Sequence, residues 1–187
     1  MTFRAIRLPF CALALSTLLS IPFQARADTV LQPDDSATIE SPAADAEVTG
    51  LPSVEWPLRR LYCVQYARLR SGLAIFGDAK LWWKRAKNLY DEFTQPALDA
   101  VMVFSGSKRI RRGHLAVVTG IVSPREIIVD HANWQNHGEI DHNMPVLDVS
   151  ADNDWSQVRV WDVNSGQYGT HVYHVSGFIG PQRTALR

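Results

Sequence analysis

Cys63, His114, His131 and Asn133 are the residues whose types and spacing could carry out covalent chemistry. A thiol attacks a carbonyl carbon as its thiolate, so a reactive cysteine needs its pKa lowered from about 8.5 by a helix N-terminus, a nearby imidazolium, or both. Cys63 falls in the first turn of a helix expected over LRRLYCVQYARLRSGL, which offers the first of these. His114 follows Gly113 at the head of the strand HLAVVTG and could be the base, with the side chains of 114, 116 and 118 on one strand face. A base needs a third group to hold its ring. Along the next strand, IIVDHANW, the residues Val129, His131 and Asn133 point to one side, and Ile128, Asp130, Ala132 and Trp134 to the other. If the two strands form a hairpin about Ser123-Pro124, His114 lies across from Asn133 and diagonal to His131. A slip of two residues puts His131 directly opposite instead, and both registers keep the three polar side chains together. The orienting group is therefore His131 or Asn133, and Asp130 falls on the wrong face.

Each of these residues has a plainer reading. A single cysteine is as readily a buried hydrophobe as a nucleophile, and His114 alone would be an ordinary strand histidine, so the weight lies in the joint pattern. Cys63, His114 and His131, with His137 and His142 nearby, could be read as metal ligands, but the spacing is long and neither C-x-x-C nor H-x-x-x-H occurs. No metal or organic cofactor is expected. His171 and His174 have opposite parity in the last strand and are expected at the surface or edge. Trp82 and Trp83 are adjacent on a helix and cannot both face one groove, so at least one belongs to the core, and Trp155 and Trp161 read as packing residues. Arg109, Arg111 and Arg112 form a basic loop just before Gly113, either solvated or in contact with an anionic ligand.

The elements that must position these side chains follow from the rest of the chain. Its 187 residues, 46% of them hydrophobic, suffice for one core. Arg4 and Arg7 precede the apolar stretch Leu8 to Phe23, and Ala25-Arg26-Ala27 follows, which reads as a secretory signal peptide over residues 1–27. Cys11 would leave with it, so Cys63 would be the one cysteine of a periplasmic or secreted protein with no further membrane attachment. Residues 28–56 read as an acidic, disordered linker, with seven acidic and no basic residues between Asp28 and Pro57. The domain expected over 57–187 is mildly basic, with 16 Lys and Arg against 12 Asp and Glu from Leu58 onward. That excess suits an anionic envelope polymer and is too weak for nucleic acid.

Within the domain, Leu61, Val64, Ala67 and Leu69 stand near helical spacing up to Ser71-Gly72. A second helix is expected from Asp78, as N-cap, through AKLWWKRAKNLYDEF, with Leu81, Trp82 and Ala86 facing inward and Gln95-Pro96 ending it. Beyond Pro96 the period becomes two in AVMVF, HLAVVTGIV, REIIVDHAN, MPVLDV, SQVRVWDV and HVYHVSGFI. Two helices followed by such strands predict an α+β domain, its N-terminal helices packed on one face of an antiparallel sheet of five or six strands.

YCVQYARLRSGL, GDAKLWWKRA, AVMVF, GHLAVV, IIVDHANW, DNDWSQVRVWD and VSGFI together resemble the CHAP domain, the cysteine and histidine-dependent amidohydrolase/peptidase family, from about Leu61 to Phe178. The resemblance implies a papain-like fold and hydrolysis of amide or peptide bonds of peptidoglycan. It implies Cys63 as nucleophile, His114 as base and the polar pair His131 and Asn133 as orienters. Two departures stand out. His131 occupies a position that is often an acid in the family and looks more like the related NlpC/P60 cysteine peptidases, and Asp99 stands where the family usually turns with a glycine. The expectation is an exported cysteine hydrolase working by acyl transfer, a monomer, with the backbone N–H of Cys63 and a donor from Tyr62 or Gln65 facing the oxyanion. The alternative is a non-catalytic wall-binding or scaffolding protein that keeps the fold.

Overall fold

The six period-two stretches after Pro96 all form strands, and they close on themselves. The computed structural model describes residues 50–180, so the signal peptide expected over 1–27 and most of the expected linker lie outside the described residues. The six strands are β3 (Val101–Phe104), β4 (His114–Ser123), β5 (Glu126–Ala132), β6 (Ile140–Asp148), β7 (Gln157–Asp162) and β9 (Tyr173–Ile179). Every pairing among them is antiparallel, in the cyclic order β6-β5-β4-β3-β9-β7 and back to β6. Three short strands add to this ring: β1 (Ser53–Glu55) on β6, β2 (Glu92–Phe93) on β9 and β8 (Gln167–Tyr168) on β7.

This closure overturns the expected fold class. The α+β, papain-like arrangement, with N-terminal helices packed on an antiparallel sheet of five or six strands, is replaced by a mostly-sheet domain built on a closed six-stranded barrel with two short helices. The physical reason is that β9 pairs with both β3 and β7 while β7 also pairs with β6, so the six strands leave no open edge among themselves. One face of each strand fills the interior, with Met102, Phe104, Ala116, Val118, Ile127, Val129, Met144, Val146, Val158 and Phe178 in a single buried cluster. Trp155 joins it at 1% exposure, as its reading as a packing residue requires.

A second buried cluster lies on the outer wall. There Val101, Val103, Leu115 and Val117 pack under Tyr66 and Ala67 of α1 (Cys63–Ser71) and Trp82 and Ala86 of α2 (Trp82–Ala86). Strand β3 is therefore buried on both faces, which explains why AVMVF is a continuous apolar run rather than an alternation. Helix α1 ends at Gly72, whose φ of 72° is the left-handed region glycine adopts at least cost, and its N–H bonds the carbonyl of Arg68.

The second helix is much shorter than its pattern suggested. A 3-10 turn, Ala79–Leu81, leads into α2, which stops at Ala86 because Lys87 turns to ψ 127° and Asn88 takes a φ of 66°. Glu92 and Phe93, expected at its end, form β2 instead. Asp78 precedes the 3-10 turn but makes no side-chain cap; its carboxylate is taken by Arg112, with N–O contacts of 2.6 and 2.8 Å. At the N-terminal side, β1 lies within the stretch read as linker, its Glu55 bonded to His142 of β6.

Candidate active site

Cys63 is the first residue of α1, with Tyr62 as the extended N-cap whose N–H donates to Oε1 of Gln65 at 3.2 Å. Its thiol is free and partly buried. Across from it, His114 opens β4 directly after Gly113, whose φ is 75°. A Cβ at Gly113 would stand 2.6 Å from both the Lys80 nitrogen and the Phe104 carbonyl oxygen, so this close backbone approach admits only glycine. Cys63, His114 and Asn133 all line one cleft of about 700 Å³. Its walls also carry Tyr62, Gln65, Trp134 and the basic loop of Arg109, Arg111 and Arg112.

The register of β4 and β5 settles the geometric choice left open above. Ala116 pairs with His131 and Val117 with Asp130, so His131 lies diagonal to His114, and Asn133, two residues on, comes level with it. His131 is nonetheless the residue that meets the His114 ring: Nε2 of His114 lies 2.9 Å from Nδ1 of His131. The Asn133 side chain makes no hydrogen bond to His114 among the described residues, and its buried Oδ1 has no partner there. Asp130 points to the outer face, where it accepts from Tyr66 and from the backbone N–H of Asn143 and meets His142.

Trp134 departs from the parity reading. Strict alternation puts it on the face away from the histidines, yet its ring centroid lies 4.8 Å from that of His114 and 5.2 Å from that of His131. Asn133 takes a φ of 63°, which ends β5 and turns the chain so that Trp134 returns over the two imidazoles. The asparagine at 133 was the available signal, because Asn adopts left-handed backbone more readily than other non-glycine residues. Glu139 secures the loop beyond, accepting the backbone N–H groups of Gln135 and His137 at 2.5 and 2.9 Å.

The electrostatics depart from the thiolate expectation. Burial pushes the Cys63 thiol up from its ordinary pKa; backbone N–H groups of Leu115, Val64 and Cys63 itself, together with the charge of Arg112, pull it down without overcoming burial. Burial, reinforced by His131, lowers the pKa of His114 well below the usual histidine value. Burial likewise brings His131 down to about 3, although Asp130 opposes it. Burial thus favours the neutral thiol and neutral imidazoles over a preformed thiolate and imidazolium.

The remaining singled-out residues lie apart from this centre. His137 stacks toward Trp56 with ring centroids 6.2 Å apart, and His142 is engaged by Glu55 and Asp130. His171 and His174 are exposed. Trp82 is fully buried and Trp83 half-buried over Gly177, so both serve packing.

A family model described as "CHAP domain" matches residues 55–133, the segment from β1 to the end of β5 that contains Cys63, His114, His131 and Asn133. No curated protein matches the chain. Among solved structures, the chain is similar to an N-acetylmuramoyl-L-alanine amidase from Staphylococcus aureus, at 20% identity and a TM-score of 0.39. That alignment covers 80% of this chain and 38% of the amidase chain. The likeness read from the motifs is matched by that family model over residues 55–133, the segment that holds all four singled-out side chains.

Proposed function

We propose that the chain is an exported cysteine hydrolase that cleaves amide or peptide bonds of peptidoglycan. The observation that carries this reading is that Cys63, at the head of α1, and His114, at the head of β4, line one cleft while a buried histidine holds the far nitrogen of His114. A binding module has no need of that combination. Export is supported by Arg4, Arg7, the apolar stretch and Ala25-Arg26-Ala27.

With Nε2 of His114 engaged by His131, Nδ1 is the nitrogen left to take the proton of Cys63. Because burial favours the neutral pair, proton transfer accompanies attack: Sγ bonds to the carbonyl carbon as His114 accepts the thiol proton. The tetrahedral intermediate collapses when His114 returns that proton to the leaving amine, which departs and leaves a thioester on Cys63. Water, deprotonated by His114, then hydrolyses the thioester and restores the thiol. Backbone N–H of Cys63 is one oxyanion donor; Gln65 supplies the second more readily than Tyr62, since its Oε1 is occupied by the Tyr62 N–H and its amide NH₂ is the end left to donate. Arg109 and Arg111 on the cleft wall suit carboxylates of the stem peptide, while Arg112 is tied to Asp78.

Digestion of purified peptidoglycan by the folded, reduced protein tests the reading. Mass spectrometry should find fragments with new amino groups and identify the scissile bond, muramoyl to L-alanine or within the peptide. An untouched wall would sink the proposal.

A further inference from the structure

Behind His131 lies a carboxylate outside the segment matched to the family. Asp141 of β6 pairs directly with His131 of β5, is 2% exposed, and its Oδ2 has no hydrogen-bond partner among the described residues. That oxygen lies 3.9 Å from Nε2 of His131, the nitrogen not used toward His114. A buried carboxylate oxygen with no partner is unfavourable, and a short side-chain adjustment would bring the imidazole N–H within reach.

The hydrogens along this row have only two consistent arrangements. With one hydrogen between His114 Nε2 and His131 Nδ1, either His114 donates or His131 does. If His114 donates, its Nδ1 is bare and can act as base, and His131 carries its hydrogen on Nε2, facing Asp141. If His131 donates from Nδ1, its Nε2 is bare, the hydrogen of His114 sits on Nδ1, and the base is blocked. An ionised Asp141 accepts and selects the first arrangement; a protonated one donates and selects the second.

We propose that Asp141 is a positioning residue that selects the tautomer of both histidines, and with it the competence of His114 as a base. This rests on reading Cys63 and His114 as the reacting pair. The groups facing Asp141 are His131 from β5, Glu139 just before β6, His142 beside it on β6 and the backbone N–H of Trp134, while Glu55 of β1 faces His142 instead. Burial first and the charge of Glu139 next push Asp141 up to about 7, against His142 and the Trp134 N–H, so both arrangements are populated near neutrality. Activity should rise with pH through that region.

The experiment is nitrogen-15 NMR of the imidazoles in the full chain, in Asp141→Asn and in Asp141→Ala, from about pH 5.5 to about pH 8.5, alongside kcat and KM on soluble wall fragments. In the unaltered chain the His114 hydrogen should sit on Nε2 at the alkaline end and shift toward Nδ1 at the acid end. Both variants should lose that pH-linked shift, and Asp141→Ala should lose about tenfold or more in kcat at the alkaline end with KM held. Tautomers that are the same at every pH in all three proteins, or an unchanged kcat in Asp141→Ala, would overturn the proposal. The NMR arm needs no substrate, so it still decides the role of Asp141 if the hydrolase reading itself fails.

Discussion

Nε2 of His114 lies 2.9 Å from Nδ1 of His131, and both rings are almost closed to solvent, at 5% and 1% exposure. On the proposed mechanism, a histidine whose pKa burial depresses stands where a carboxylate would otherwise orient the base. It can fix the tautomer of His114 but lends little stabilisation to an imidazolium. Replacing it separates these effects. His131→Gln keeps an acceptor near His114 and should retain part of the activity, whereas His131→Ala should lower kcat by about a hundredfold or more with a small change in KM. Steady-state kinetics on soluble fragments would show the split.

The same burial makes the fold sensitive to acid. His114 and His131 hold depressed pKa values, that of His131 at about 3, so below about pH 6.5 the unfolded chain binds protons that the folded chain refuses, and stability falls as pH falls. Asp141, raised to about 7, works in the opposite direction, because the folded chain keeps its proton where the unfolded chain has lost it. The two histidines outweigh the one carboxyl, so stability should fall as pH drops below about 6.5. Urea unfolding at several pH values would read this slope, and His131→Gln should flatten it.

The strands of the barrel were legible from their period, and so was the face shared by His114 and His131, because β4 and β5 are joined by a short connection that limits their register. The closure was not. It depends on β9 reaching both β3 and β7, pairings far apart in sequence that leave no local trace. The second helix misled for a related reason: KLWWKRA has helical spacing, but the bond from Asp78 to Arg112 and the left-handed Asn88 are set by the tertiary fold. Trp134 was misplaced because alternation was carried through Asn133, where the backbone leaves the strand. Asp141 escaped notice altogether, since its importance lies in facing His131 from the next strand.

Gly113 sets the entry of His114 into β4. Its positive φ and its contacts with backbone atoms of Lys80 and Phe104 leave no room for a methyl group. Gly113→Ala should cost about 1–3 kcal/mol of stability. It should also lower activity beyond what unfolding explains, because the shift falls on the residue before His114, the base of the proposed mechanism. Thermal unfolding and activity, measured on one preparation well below its Tm, would separate the two.

His142 ties β1 to the barrel, with Nε2 2.8 Å from Glu55 and Nδ1 3.2 Å from Asp130. Burial works against its charged form, but the hydrogen bonds to Glu55 and Asp130 and their charges outweigh it and raise its pKa. The tie is therefore fully present below about pH 6.5 and lost as pH rises through the raised value. Amide exchange at Val54 and Glu55, corrected for intrinsic rates, should speed up across that range, and Glu55→Gln should weaken the dependence.

The most direct measurement is the rate at which new amino groups appear from peptidoglycan with the full chain and with Cys63→Ser, both shown to be folded and reduced. The account predicts that Cys63→Ser loses about a thousandfold or more, since the neutral imidazole that deprotonates a thiol is a far weaker match for a hydroxyl. A Cys63→Ser rate within a few-fold of the unaltered chain would contradict it.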